Sequence, residues 1–321
     1  MSEFLKTRLL SHPSRRTMMK SLVGMGLLAS MRTASAQDSL LVGDQKGGTH
    51  ALLSAATSGH TDNAMIKWSL FAGAPMLIQA LAGNAVDAGA IGDAPLAFAQ
   101  DGTSTIRAIA GLQSDGTTTA VITRRDSPIH TVGDLKGRSI ATLRAQTGHY
   151  LTLAALRAAG MHGDDVRFVF LPPVSARAAL QTGVVDAWAT WGPYVSTAVI
   201  TDGAREIVNG GQLMSGLSYV VATVDALHAK RDALATYLRL LKTAHEWGRT
   251  HPDEYAAAWA ADVGLPLAVA RHVVPTMLGD VVTLNPHVIQ KQQDVCDFMY
   301  DTRMLPHKLD ARAIMDTGFI F

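Results

Sequence analysis

The chain matches itself when it is shifted by 99 residues. Positions 50–90 then fall on 149–189 without a gap. Eleven of the 41 pairs are identical: His50/His149, Leu52/Leu151, Ala55/Ala154, Ala56/Ala155, Phe71/Phe170, Ala80/Ala179, Leu81/Leu180, Val86/Val185, Asp87/Asp186, Ala88/Ala187 and Ala90/Ala189. Composition alone would give about three, so the segment reads as a duplicated unit. Alanine inflates such a count, and two similar α/β segments arising by chance are the alternative. Each copy reads strand, loop, helix, strand, which is half of a parallel sheet. Two such lobes on one chain leave a cleft between them, and clefts of that kind hold ligands.

The first 36 residues read as an address. Ser14-Arg15-Arg16-Thr17-Met18-Met19-Lys20 is a twin-arginine pattern, Leu22 to Met31 is apolar, and Ala34-Ser35-Ala36 is a small-x-small cleavage site. The apolar run is shorter than the ~20 residues a membrane span needs. The expectation is a mature chain from Gln37, exported to a bacterial periplasm by the twin-arginine route. Residues 1–36 hold six of the 28 Lys and Arg and one of the 27 Asp and Glu, leaving 22 against 26, a net of −4. That balance argues against a nucleic-acid footprint, which needs a basic surface. The single cysteine, Cys296, excludes an internal disulfide.

The mature chain reads as alternating short strands and helices. The strands fall near 40–43, 65–70, 87–91 and 105–112, then 139–142, 166–171, 185–190 and 206–208. Two β-rich runs, 118–123 and 218–223, read as crossings between the lobes. From Val224 the pattern turns helical, giving four or five helices that cap the first lobe, with Pro275 breaking or kinking one of them. The expected division is a signal at 1–36, a discontinuous first lobe at 37–123 and 219–321, and a second lobe at 124–218.

In an open parallel sheet ligands bind beyond the carboxyl ends of the strands. The loops there are 44–49, 71–75, 92–95, 144–149, 171–175 and 191–194, and most of them lead into a helix. Free N–H groups at a helix start favour an anion. Lys46 is the cation of the first-lobe loops and Arg144 its counterpart in the second, though both also read as solvated surface charges. Gln146, Thr147, His149 and Tyr150 offer side-chain donors. Trp188 and Trp191 wall a ligand or pack the core, Trp188 favouring the core. Asp93 is at odds with an anion site unless it caps a helix or holds a ligand amine.

Constellations for other chemistry are missing. Gly47-Gly48 lacks the Lys-Ser/Thr ending of a phosphate loop, the histidines show no metal spacing, and no Gly-x-Ser-x-Gly elbow occurs. Cys296 has acidic neighbours, which make a thiol a poor nucleophile. No cofactor, metal or catalytic residue is expected.

Gly43-Asp44-Gln45-Lys46-Gly47, Phe71-Ala72-Gly73-Ala74-Pro75, Gly92-Asp93-Ala94-Pro95, Asp126-Ser127-Pro128-Ile129, Asp134-Leu135-Lys136-Gly137, Leu171-Pro172-Pro173 and Val185-Asp186-Ala187-Trp188 together resemble the periplasmic sulfonate/taurine/nitrate-type binding proteins of ABC importers, most of all the aliphatic sulfonate binders. The resemblance implies an α/β, two-lobed, type II periplasmic-binding-protein-like fold, with two similar parallel or mixed lobes joined by a hinge. It implies a monomer that holds a small anionic ligand and then docks on a membrane permease with its ATPase. The ligand loops it points to are Gln45, Lys46 and Gly47; Ala72 and Gly73; Gly92, Asp93 and Ala94; Thr147, Gly148, His149 and Tyr150; and Trp188 and Trp191. The chain departs from the family after Phe71, where the spacing to Pro75 is shorter, and at Trp191-Gly192-Pro193, where an acid is lost. An enzyme on the same fold, desulfinase-like, and a periplasmic sensory binding protein remain as alternatives.

Overall fold

The computed structural model describes residues 39–57, 65–102 and 105–321. The twin-arginine pattern and the cleavage site lie outside the described residues. The first lobe opens with β1 (Leu40–Gln45), α1 (Gly48–Ala56), β2 (Ile66–Phe71), α2 (Ala74–Ala82), β3 (Ala88–Gly92), α3 (Asp93–Gly102) and β4 (Ile106–Gln113). A second set follows: β5 (Thr119–Thr123), β6 (Ser139–Thr142), α4 (Thr147–Ala158), β7 (Arg167–Phe170), α5 (Pro173–Gln181), β8 (Ala187–Trp191), α6 (Pro193–Asp202) and β9 (Arg205–Asn209). The chain then runs through β10 (Leu217–Thr223), α7 (Val224–Ala229), α8 (Arg231–Thr250), α9 (Pro252–Val263), α10 (Leu267–Met277), β11 (Asp280–Val282) and α11 (Pro286–Asp301).

Two sheets result, with strand orders β11-β4-β10-β3-β1-β2 and β7-β6-β8-β5-β9. Within them the duplication holds strand for strand. β1 lies parallel between β3 and β2, and β6 lies parallel between β8 and β7. Each trio is closed by one antiparallel strand, β10 against β3 and β5 against β8. The two closing strands are exchanged between the lobes: β5 precedes the second set in sequence, and β10 returns to the first.

This exchange corrects the expected boundary. β5 pairs along its whole length inside the second sheet, so the first crossing is 114–118 rather than a strand ending near 123. The return crossing is 210–216, and Leu217 and Ser218 already belong to the first sheet. The crossings lie against each other, with the Ser114 N–H donating to the Gly216 carbonyl at 2.8 Å and the Gly210 N–H donating to the Thr119 carbonyl at 2.9 Å. Gly216 has φ +69°, and a Cβ there would run into the Ser114 carbonyl, so this turn needs glycine.

Proline and caps set the helix starts. Proline opens the first turn of α2, α5, α6, α9 and α11, where no intrahelical N–H is needed. Asn285 caps α11 by accepting from the His287 and Val288 N–H groups, both at 3.0 Å. In α8 the buried positions Leu234, Tyr237, Leu238, Leu241, His245 and Gly248 recur three and four apart, and that stripe packs on the first sheet with Leu40, Val42, Leu52 and Trp259. The tail holds five helices, as expected, and one strand the sequence pattern did not announce: β11, three residues on the edge of β4. Pro275 sits inside α10, which ends two residues later. A separate apolar patch joins the lobes. Ala94 and Ala97 of α3 and Val295 and Met299 of α11 meet Tyr150 of α4.

Candidate functional site

A cavity of about 190 Å³ lies between the two sheets, at the carboxyl ends of their parallel strands. The first lobe contributes Asp44 and Gln45 at the end of β1 and Lys46 just after it, Ala72 and Ala74 around the α2 start, and Gly92 and Asp93 at the junction of β3 and α3. The second contributes Gln146 and Thr147 at the α4 start, and Trp191 and Pro193 at the turn into α6. Thr118 and Thr119, at the end of the first crossing, complete that side.

The helix starts facing this space are of two kinds. α2, α4 and α6 follow Gly73, Gln146 and Gly192, none of which makes a side-chain cap. Their first-turn N–H groups keep the partial positive charge of a helix start. α1 and α3 differ, because the protein's own acids occupy them. The Asp44 carboxylate accepts from the His50 N–H at 2.9 Å, standing in for Gly47, which has no side chain to offer. Asp93 accepts from the Ala94 N–H at 2.7 Å and from the Ser215 hydroxyl at 2.5 Å. At 92–95 this is the helix-capping reading of Asp93 that the sequence offered; at 44–49 the sequence shows the acid but not that it folds onto the start of α1.

Burial shapes the titration of this wall. Asp44 is 4% exposed and Asp93 1%. Loss of hydration pushes the Asp44 carboxyl up to about 6, against the pull of the His50 and Thr49 hydrogen bonds. It pushes Asp93 upward too, against Ser215 and Ala94. His245, also on the wall, is driven down to about 4, by burial first and by Arg249 second, so it is neutral at pH 7.

Lys46 is the cation of the wall. Its backbone is left-handed at φ +62° and its carbonyl accepts from the Trp259 indole N–H at 2.7 Å. Its ammonium lies 5.1 Å from the Tyr194 ring centroid, within cation–π range. Tyr194 belongs to the second lobe, and its hydroxyl donates to the Ala72 carbonyl at 2.9 Å in the first. Gln45 donates to the Ala90 carbonyl at 2.7 Å, which fixes the loop against β3. Gly92 faces the Thr147 methyl so closely that a Cβ would sit 2.7 Å from it. The Tyr194–Ala72 bond and the Gly92–Thr147 approach both cross the cleft.

Of the fourteen residues expected at the ligand, seven line the cavity: Gln45, Lys46, Ala72, Gly92, Asp93, Thr147 and Trp191. The other seven are not among the residues whose atoms line it. Gly47 packs toward Val263, and Gly73 toward the Trp191 ring. Ala94 is in the patch between the lobes. Gly148 abuts the Ala189 carbonyl. His149 packs edge-on against Phe168 and Phe170, with ring centroids 4.7 and 5.3 Å away. Tyr150 meets Phe298 at 4.8 Å. Trp188 is core, 1% exposed. Helix periodicity spreads the run 148–150 around α4: Gly148 meets β8, His149 the aromatics of β7, and Tyr150 the patch between the lobes. Arg144 does not reach the wall and stacks on Phe170 at 3.8 Å.

The sequence pattern did not point to Ser114, Gly116, Thr118 and Thr119 of the crossing, Ser218, or the tail residues His245, Tyr255 and Thr276 to Gly279. The crossing had a signal, the polar run Ser114 to Thr119, once crossings are seen to pass through the cleft. The tail residues had none, since only tertiary packing brings α8 and α9 to the site.

The family model for NMT1/THI5-like proteins matches residues 70–255. An Escherichia coli K12 protein named as an aliphatic sulfonates-binding protein is 31% identical over 285 residues, 87% of this chain and 88% of its own. Among solved structures, the alkanesulfonate-binding protein SsuA of Xanthomonas axonopodis pv. citri, bound to MOPS, superposes with a TM-score of 0.78 at 27% identity, over 87% of this chain and 98% of that one. The periplasmic aliphatic sulphonate binding protein SsuA of E. coli gives 0.76 at 29%, over 87% and 92%. The desulfurization enzyme DSZB shares the fold at a TM-score of 0.63 and 19% identity, over 88% of this chain and 97% of that one.

Proposed function

We propose that this chain, which belongs to the NMT1/THI5-like family, is the periplasmic substrate-binding component of an ABC importer. It captures a small anion, an aliphatic sulfonate before taurine or nitrate, and delivers it to a membrane permease and its ATPase. The observation that carries this reading is the convergence of three uncapped helix starts, those of α2, α4 and α6, with Lys46 on one cavity between two lobes. Backbone N–H groups at helix starts recognise tetrahedral oxyanions without a dedicated side chain. The leader at 1–36 supports export, and the twin-arginine route is the one its residues favour.

The binding role is favoured over catalysis on this fold. A desulfinase would need a cysteine in the loop where Lys46 and Gly47 stand. The one cysteine, Cys296, is buried in α11 beside Gln292, and burial, with Asp297, Asp93 and Asp310 adding to it, pushes its thiol up to about 12. A nucleophile needs the opposite shift. Isothermal titration with short alkanesulfonates, taurine, nitrate and sulfate tests the reading. Saturable one-to-one binding of a sulfonate that weakens at least ~10-fold in Lys46→Gln is expected. Absence of heat with every one of these anions refutes it.

A further inference from the structure

The cleft that suits an anion has two carboxyls built into its wall. β1 and β3 are parallel neighbours with Gly43 opposite Gly89, so Asp44, near the end of one strand, and Asp93, just after the other, stand at the same edge of the sheet. Both line the cavity and both are more than nine-tenths buried. The donors that hold them are neutral. Asp44 accepts from the His50 N–H at 2.9 Å, and Asp93 from the Ala94 N–H at 2.7 Å and the Ser215 hydroxyl at 2.5 Å. The Lys46 ammonium lies over the Tyr194 ring, 5.1 Å from its centroid.

An anion in this space repels a carboxylate on the wall, and the carboxylate can answer by taking up a proton. At an effective dielectric of about 20, a like charge within about 8 Å shifts a proton equilibrium at least ~10-fold. Protonation also turns a group that only accepts into one with an O–H to donate. Asp44 stands where that shift matters, because burial already holds its carboxyl up at about 6. Its surroundings leave few other groups to share the proton. Burial, with the Asp44 charge adding to it, pushes the phenols of Tyr237 on α8 and Tyr255 on α9 upward, and burial drives His245 on α8 down to about 4. None of these three changes charge between pH 5 and 8. Asp93 at the same sheet edge is raised by burial. Lys46 is the neighbouring cation. His50 on α1 has its Nδ1 2.9 Å from the Asp262 carboxylate of α9, and its side chain is the control for Asp44.

We propose that capture of the anion is coupled to proton uptake at Asp44, which is a carboxylate at neutral pH without the anion and a neutral acid once the anion is seated by Lys46 and the helix starts. The inference rests on the reading of the cleft as a site for a small sulfonate and adds what regulates its affinity. The bound form holds the extra proton, so affinity rises as the pH falls, and it levels off once the free carboxyl is itself protonated.

Butane-1-sulfonate is the probe, since its sulfonate stays ionised throughout. Affinity by calorimetry is expected to rise at least ~5-fold from pH 8 to pH 5.5, and titration at pH 6.5 in buffers of different ionisation enthalpy should count about half a proton taken up per ligand. Asp44→Asn, which keeps an acceptor for the His50 N–H, should abolish the uptake and flatten the profile, and His50→Gln should keep both. Should Asp44→Asn fail to fold, the carboxyl ¹³C shift of Asp44 in the wild type reads the same event, its titration midpoint moving up by about one unit or more with the ligand. Equal affinity across the range with no proton exchanged, release of protons, or uptake that persists in Asp44→Asn overturns the proposal and leaves the sulfonate reading standing. Absence of binding by every anion at every pH refutes that reading, and this one with it.

Discussion

Asp87 and Asp186, 99 residues apart, hold the same place in the two lobes. Each precedes the third strand of its repeat and accepts from the backbone at the first strand. Asp87 takes the Leu41 N–H at 2.7 Å, and Asp186 takes the Ser139 N–H at 2.8 Å and the Ser139 hydroxyl at 2.7 Å. Each also has a cation beside it, Lys230 at 2.8 Å and Arg138 at 3.7 Å. Burial pushes the Asp186 carboxyl up, but the Ser139 bonds and Arg138 outweigh it and hold it below the usual carboxylate range. The acid therefore fastens β6 to β8 as a charge.

Asp186→Ala should cost about 2 kcal/mol, because it leaves the Ser139 N–H without its charged acceptor. Asp186→Asn, which keeps an acceptor, should cost less. Urea unfolding measures both, with the midpoint moving at constant slope.

Acid stability follows from two neutral histidines. Burial, with Arg144 second, holds His149 down to about 4 from 6.5, and burial, with Arg249 second, does the same for His245. The unfolded chain binds these protons first, so stability is full above pH 6.5 and falls between 6.5 and 4. Each histidine contributes about 3 kcal/mol to that loss. Asp44 acts in the opposite sense: with its carboxyl raised from 3.8 to about 6, the folded state gains stability as pH drops through that window, by about 3 kcal/mol. Asp93, also raised by burial, acts in the same sense as Asp44, so the two acids oppose the histidine loss. His149→Phe should remove that histidine's share of the loss and so raise stability relative to the wild type between pH 6.5 and 4, read as unfolding free energy against pH.

Tyr194 joins the lobes through its bond to the Ala72 carbonyl. Tyr194→Phe removes that bond and leaves the ring beside Lys46. If closure accompanies binding, about 1 kcal/mol is lost from the closed form alone, and sulfonate affinity falls roughly fivefold. Calorimetry reads the affinity, and a thermal melt of the ligand-free protein that changes little separates the effect from general instability.

Gly216 sets the return crossing. Gly216→Ala forces a side chain into a left-handed turn and against the Ser114 carbonyl, a cost of about 1–3 kcal/mol. Gly102, at the end of α3, has no atom of the described residues within 4 Å of where a Cβ would stand, so Gly102→Ala should be neutral or stabilising by up to about 1 kcal/mol. Paired melting curves check the contrast.

The duplication made the architecture legible, because a repeat at fixed offset preserves strand order: β3-β1-β2 and β8-β6-β7 are the same trio. Proline and glycine at the carboxyl ends located the rim loops. What the sequence hid was direction. His149 and Trp191 are both rim aromatics by position, yet one turns inward onto Phe168 and the other faces the cavity. The swap of β5 and β10 was hidden as well, since an apolar strand reads alike in either sheet. His245 and Tyr255 reach the wall through helix packing alone, a contact between segments about 200 residues from β1 that no local pattern encodes.

The most direct measurement is a crystal structure of the protein with an aliphatic sulfonate, the sulfur located by its anomalous signal. The sulfur is expected in the cavity between the lobes, against Lys46 and the first-turn N–H groups of α2 and α4. A sulfur found outside the cleft, or a cavity left empty at saturating ligand, would contradict a site built from paired helix starts.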